Sequence, residues 1–177
     1  MKICDTVNSK LYKNDRAILH SDCNCFYASV ECLLNPNIRD LPVAVSGDAE
    51  NRHGIILAKN EEAKKYNIKT GEAIWQAKKK CPQLLTVPAR LDVYKKFSDK
   101  VRRIYSDYTD MVEPFGLDEA WLDISEDYKN DALTIAKEIS QRVKDEIGIT
   151  VSIGVSFNKI FAKFGSDYKK PDAITCI

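Results

Sequence analysis

The sequence predicts an α+β protein: a core sheet covered by helices on one face, with a smaller lobe inserted over residues 34–89. Three observations carry that expectation. Apolar spacing switches repeatedly between the strand period of two and the helix period near 3.6 along a chain of 177 residues. The element order is strand–helix, a basic stretch, then helix–hairpin–helix–strand, which suits one sheet interrupted by an insertion. Charge is also divided. Residues 52–103 hold fourteen Lys/Arg against five Asp/Glu, and the remainder thirteen against twenty-one, a split hidden by the net charge of +1. Solvated helix faces explain any single lysine. The segregation as a whole suits an anionic ligand over one lobe and cation-binding carboxylates in the other.

Residues 1–15 are polar and charged and read as a lead-in before the first strand. Residues 16–22 (RAILHSD) form that strand, ending at Asp22. Residues 25–34 (CFYASVECLL) have helical character and stop at the Asn35-Pro36-Asn37 cluster. PVAVSG (42–47) and GIILA (54–58) read as two strands joined by a polar loop. NEEAKKYNI (60–68) and TGEAIWQAKKKC (70–81) read as short helices, the second closed by Pro82. LLTVPA (84–89) is a short strand. From Asp92 to Tyr108, Val93, Phe97, Val101, Ile104 and Tyr108 recur at helical spacing. Residues 111–125 (MVEPFGLDEAWLDIS) are two apolar runs around a Phe-Gly-Leu-Asp turn, a β-hairpin. The clearest helix spans 131–147, with Ala132, Ile135, Ala136, Ile139, Val143 and Ile147 on one stripe and Gly148 at its end. In 150–157, Val151, Ile153, Val155 and Phe157 alternate with Thr150, Ser152, Gly154 and Ser156. The small polar side is expected to face an open cleft. Residues 158–170 form a helix, and 173–177 a last strand.

Several function classes lose support at this stage. The apolar runs are too short to cross a membrane as a helix. The N-terminal residues lack the apolar core of a secretory signal. Six cysteines (Cys4, Cys23, Cys25, Cys32, Cys81, Cys176) include no C-x-x-C pair. They read as small buried hydrophobes in a reducing cytoplasm rather than as zinc ligands with His20.

Asp118 and Glu119 stand side by side at the hairpin tip, where two carboxylates repel unless a cation lies between them. Asp22 ends a different strand that can lie beside the hairpin. Such hard oxygen ligands suit Mg²⁺ or Mn²⁺, and a pair of these ions can activate a sugar hydroxyl and stabilise a leaving pyrophosphate. An isolated Asp-Glu dipeptide is more often an exposed turn. Here its apolar flanks, and those of Asp22, raise the metal reading.

Those flanks carry a resemblance. Asp22-Cys23-Asn24-Cys25-Phe26-Tyr27-Ala28-Ser29-Val30-Glu31 is similar to D-x-D-x-F-[YF]-A-x-V-E. Gly116-Leu117-Asp118-Glu119-Ala120-Trp121-Leu122-Asp123 is similar to S-I-D-E-A-[FYW]-L-D. Ser152 to Pro171 resembles G-[IV]-[SA]-x-N-K-x-x-A-K-x-[AG]-S-D-x-x-K-P. Together, in order and spacing from Arg16 to Ile177, they resemble the Y-family, or translesion, DNA polymerases. The resemblance implies a palm (16–33 and 90–177) with a ferredoxin-like antiparallel or mixed sheet, and fingers (34–89). It implies template-directed synthesis past damaged bases, transferring a dNTP to a primer 3′-hydroxyl with two Mg²⁺ ions, which Mn²⁺ can replace. Asp22, Asp118 and Glu119 would be the catalytic metal ligands, helped by the Cys23 carbonyl. Tyr27 would be the steric gate against a 2′-hydroxyl. Cys25, Phe26, Lys64 and Lys170 would join it around the nucleotide, with Phe26 equally suited to a helix core and Asp167 to steadying the last segment.

Four positions depart from the pattern. Asn24 stands where many members carry a second Asp, and Gly116 where they carry Ser. Glu61 and Lys64 replace a phosphate-facing Tyr and Arg; a lysine offers a point charge instead of a fork. The family's helical thumb and separate DNA-gripping domain have no counterpart in these residues, and a sliding-clamp contact is expected through that missing C-terminal region. Primer–template DNA and dNTP are the expected partners, without a membrane. A palm-type nucleotide cyclase and a non-catalytic DNA-repair scaffold are the alternatives.

Overall fold

Ile18–Cys23 forms the strand β1 at the centre of the main sheet, with all six residues buried. In the computed structural model, residues 16–47, 54–126 and 131–177 are described; the expected lead-in over 1–15 lies outside them. After β1 come α1 (Phe26–Leu34), β2 (Val43–Ser46), β3 (Ile56–Lys59), α2 (Glu61–Lys64), α3 (Ile74–Lys80) and β4 (Leu85–Pro88). Then follow α4 (Leu91–Ser106), β5 (Val112–Phe115), β6 (Glu119–Asp123), α5 (Ala132–Arg142), β7 (Val151–Ser156), α6 (Lys159–Tyr168) and β8 (Ile174–Cys176). The chain divides into two compact units, one taking in the residues up to Asn24 with Lys95–Ile177, the other Cys25–Tyr94.

In the first unit the sheet order is β5-β6-β1-β7-β8. β1 pairs antiparallel with β6 and β7, β5 pairs antiparallel with β6, and β8 runs parallel to β7. This is the βαββαβ order of a ferredoxin-like sheet, extended by β8. One face is apolar: Leu19 and Cys23 with Ala120, Leu122, Val151, Ile153 and Val155, all buried. Tyr105 on α4 donates to Ser21 on that face (2.8 Å). Arg142 at the end of α5 reaches Asp107 just beyond α4 (2.8 Å), so both helices cover the same side. The α5 stripe of Ile135, Ala136 and Ile139 is buried, as its spacing requires. One wider turn, Val143–Ile147, follows, and Gly148 ends it in the left-handed region (φ 84°).

The second face corrects one expectation. The small polar side of β7 does not open on a cleft; α6 lies across it. A Cβ on Gly154 would stand 1.8 Å from the Ala162 carbonyl oxygen and 2.6 Å from the Ser166 nitrogen, so the helix backbone uses the missing side chain to approach the strand. Ser152 and Ser156 are buried beside it, donating to Asn24 Oδ1 and to the Ile177 carbonyl (both 2.8 Å). Phe157 lies past the end of β7 rather than on its apolar face, against Phe161 at 5.5 Å between centroids.

In the second unit, β3-β2-β4 form a three-stranded sheet, β2 parallel to β4 and antiparallel to β3. Ala44, Ile56, Ala63, Ile68, Ala77, Cys81 and Leu84 make its core. Helix α2 is only one turn, shorter than its sequence suggests. Asn60 caps it by accepting from Ala63 N (2.9 Å) and ties it to β2 by accepting from Val43 N (3.0 Å).

Candidate active site

Register assembles the carboxylates. The β1–β6 pairing sets Asp22 opposite Glu119 on one face of the sheet. Asp118 is held at the hairpin tip by Cys23 N, which donates to its carbonyl (2.9 Å). Gly116 enters the turn at φ 66°, a conformation glycine adopts without strain, and Arg102 donates to its carbonyl (2.5 Å). The Ser-to-Gly departure is thus matched to the turn's backbone. Asn24, the other departure here, is buried and hydrogen-bonded to β7 through Ser152 and to Thr150 Oγ1 (3.0 Å).

Burial raises the Asp22 carboxyl to about 6, against the pull of Lys170 and with help from Glu119 and Asp118. Burial also raises Asp118, and Glu119 adds to it. Two lysines sit on these groups. Lys170 Nζ is 2.5 Å from Asp22 Oδ2 and 2.8 Å from Asp167 Oδ1. Lys163 Nζ is 2.5 Å from Glu119 Oε2, with Asp167 at 3.7 Å. His20 Nε2 lies 3.0 Å from the same Glu119 oxygen. Burial, then the Lys163 charge, depresses the imidazole to about 4, so it is neutral at ordinary pH.

Among the described residues, no group of three or more His, Cys, Asp or Glu is gathered closely enough to enclose an ion by itself. The donor set nevertheless fits a divalent cation: three hard carboxylates on adjoining backbone, two of them shifted towards protonation by burial and mutual repulsion. Mg²⁺ commonly takes few protein oxygens and completes its shell with water and phosphate. The lysines occupy oxygens that such an ion would claim. For Cys23, the thiol is buried on the opposite face and the amide is bonded to the Asp118 carbonyl.

The other candidates belong to the second unit. Tyr27 stacks on Tyr94, with centroids 4.3 Å apart and planes within 13°. Tyr94 donates to Glu31 Oε1 (2.7 Å), and Arg90 forks onto both Glu31 oxygens (3.0 and 2.5 Å). Phe26 is buried and edge-on to Tyr94, the core position its apolar context allowed. Cys25 begins α1 with φ 50°, and its thiol donates to Glu61 Oε1 (3.2 Å). Lys64 is paired with that same oxygen (2.7 Å).

Sequence reasoning overlooked Lys163 and the true setting of His20. Both were traceable. His20 precedes Asp22 by two residues, so a strand puts them on one face. Lys163 and Asp167 are four residues apart on one side of α6, and Lys170 follows just past its end.

The impB/mucB/samB family matches residues 21–167. DNA polymerase IV of Acetivibrio thermocellus is 61% identical over 164 residues, covering 92% of this chain and 41% of that protein. DNA polymerase IV of Bacteroides fragilis is 45% identical over 166 residues, covering 93% of this chain and 45% of the other. Among solved structures, an insertion ternary complex of Dbh DNA polymerase superposes with a TM-score of 0.87 at 30% identity, over 91% of this chain and 48% of that one. DinB from Sulfolobus solfataricus gives 0.86 at 31%, over the same shares. The α+β architecture is that of these polymerases. The chain spans less than half the length of the relatives it matches.

Proposed function

Since the chain belongs to the impB/mucB/samB family of Y-family DNA polymerases, we propose that it is the palm (16–33 and 90–177) and fingers (34–89) of a translesion DNA polymerase. The observation that carries this reading is Asp22 opposite Glu119, with Asp118 on the adjoining turn, inside the region the family matches. The reaction is transfer of a deoxynucleotide from dNTP to a primer 3′-hydroxyl on a DNA template. The template, rather than the protein, supplies sequence information.

Asp22, Asp118 and Glu119 hold the divalent cations, two Mg²⁺ or their Mn²⁺ replacements, with the Cys23 carbonyl assisting. When bound, such ions supply Lewis-acid activation of the attacking hydroxyl and neutralise the leaving pyrophosphate. The chain's own residues supply the rest. Lys170, and Lys163 beside it, leave the carboxylates and offer their ammonium charges to phosphate oxygens. Lys64 does the same from the fingers, released from Glu61. Cys25 and Phe26 present backbone to the nucleotide, and Tyr27 excludes a 2′-hydroxyl with a ring braced by Tyr94. The protein works in the cytoplasm, and a sliding clamp is met through residues beyond this segment. No helix among the described residues is long and apolar enough to cross a membrane.

Binding of Mn²⁺ with a dNTP is expected to raise the melting temperature by about 5 °C near saturation. The increment depends on pH. An acid whose folded pKa is raised costs nothing below the unfolded value, loses stability as pH rises towards the folded value, and keeps that deficit above it. For Asp22 this window runs from 3.8 to about 6, a loss on the order of 3 kcal/mol in cation-free buffer. Cations stabilise the ionised form, so the increment should be larger at pH 7.5 than at pH 5. No shift at millimolar metal and nucleotide, at either pH, would remove the proposed site.

Tyr27→Ala tests the gate. In a longer protein continuing into the relatives' remaining half, ribonucleotide incorporation relative to deoxyribonucleotide should increase by roughly 10²-fold, about 3 kcal/mol of lost discrimination. Unchanged sugar selectivity would strip Tyr27 of the role. A cyclase is the second enzyme reading, and cyclic product from ATP or GTP with Mg²⁺ would support it instead.

A further inference from the structure

His20 is chemically ill-suited to the space it fills unless its nitrogens are used. It stands mid-strand in β1, is wholly buried, and lies edge-on to Trp121 with ring centroids 4.9 Å apart. An apolar side chain would fill the space without the desolvation cost of an imidazole. Instead, Nδ1 lies 2.7 Å from Ser166 Oγ, and Nε2 lies 3.0 Å from Glu119 Oε2. The second contact is close but is not a well-formed hydrogen bond, and Nε2 has no other partner. Glu119 Oε2 is shared with Lys163, 2.5 Å away.

The two groups on this oxygen differ in freedom. Lys163 ends a flexible, one-third exposed stem and can swing off. His20 cannot, because the strand, Trp121 and α6 enclose it. When Lys163 leaves Oε2, His20 is the anchor that remains.

We propose that His20, backed by Ser166, is the positioning residue of the metal centre: it holds Glu119 through Oε2 so that Oε1 is the oxygen presented to a divalent cation. The inference rests on the carboxylate reading above. The Ser166 hydroxyl lies 2.8 Å from the Lys163 carbonyl as well as 2.7 Å from Nδ1; with its one proton turned to Nδ1, the Nε2 proton is directed at Glu119, and a fixed carboxylate loses less freedom on ligation. Groups that orient a metal ligand in this way typically change affinity by about 10–100-fold.

Two amides separate the ring's two contacts, because a Gln amide reaches the Nε2 position whereas an Asn amide reaches only Nδ1. Mn²⁺ alone is titrated into this chain and followed by loss of the free-ion electron paramagnetic resonance signal. Expected are H20Q within about 3-fold of the parent affinity and H20N and H20L at least about 10-fold weaker. Parent-like binding by H20N and H20L would overturn the proposal. Equal weakening of H20Q and H20N would do so too, showing that the ring merely fills space. The chain has two histidines, His20 and His53, so imidazole nitrogen resonances provide a second readout. Mg²⁺ should shift the His20 Nε2 signal; a stationary His20 signal at saturation also overturns the proposal. D118A serves as control. A parent protein binding no better than D118A would sink the carboxylate reading itself, leaving His20 no ligand to place, whereas normal parental binding unaffected by H20N would sink only the role of His20.

Discussion

Single-nucleotide incorporation is expected to fall at least ~10³-fold on Asp118→Ala, a barrier increase of about 4 kcal/mol, in a longer protein that carries this chain and the relatives' C-terminal half. This chain alone should extend primers poorly, with or without the substitution. The structure adds an unusual sign. Burial and Glu119 hold the Asp118 carboxyl above its ordinary range, so removing it relieves repulsion in the cation-free protein. The melting temperature in chelator should therefore stay level or rise, while the increment from Mn²⁺ and dNTP disappears. Activity and stability move in opposite directions. A parallel fall in both would indicate misfolding, and equal extension by both proteins would favour a scaffold.

Gly154→Ala should produce a large stability loss for the addition of a single methyl group. The new Cβ would meet a carbonyl oxygen at 1.8 Å, an amide nitrogen at 2.6 Å and a carbonyl carbon at 2.8 Å, all helix backbone that no rotamer change can move. Helix α6 would have to lift from β7. The cost is about 3 kcal/mol or more, a fall of roughly 6–12 °C in melting temperature for a chain of this size. Because α6 also carries Ser166, which backs His20, the displacement should weaken Mn²⁺ binding. Gly47→Ala is the comparison, since nothing lies within 4 Å of a Cβ there. Urea unfolding of the two variants measures the difference, and equal midpoints would show that α6 rides higher on the sheet than described.

Much of the fold could be read from the chain because the periodic segments are unambiguous. The α5 stripe and the alternation of β7 each specify one apolar face, and the structure buries those faces. The carboxylates were legible because a strand ending at Asp22 and a hairpin with Asp118-Glu119 at its tip have few ways to meet. The covering of the second face was not legible. Ser152, Gly154 and Ser156 are small and polar, and such a surface is as suitable for a closely approaching helix backbone as for water. Alternation tells which residues share a face but not what lies on it. His20 was hidden for a related reason: beside Cys23 and Cys25 it was weighed only as a zinc ligand and set aside, whereas its position two residues before Asp22 puts it on the face of the carboxylates. Lys64 shows a further limit, because pairing with Glu61 is set by one helical turn and not by the ligand the lysine would serve.

Position 154 also has a consequence for inheritance. Any missense change in a glycine codon introduces a residue with a Cβ, and it is that atom, whatever follows it, that collides with Ala162. Most buried positions grade their replacements by size or polarity. In a saturation library, this one would sort sequences by a yes-or-no rule, so that alanine and tryptophan fail for the same reason and no compromise residue lies between glycine and loss of the α6 contact.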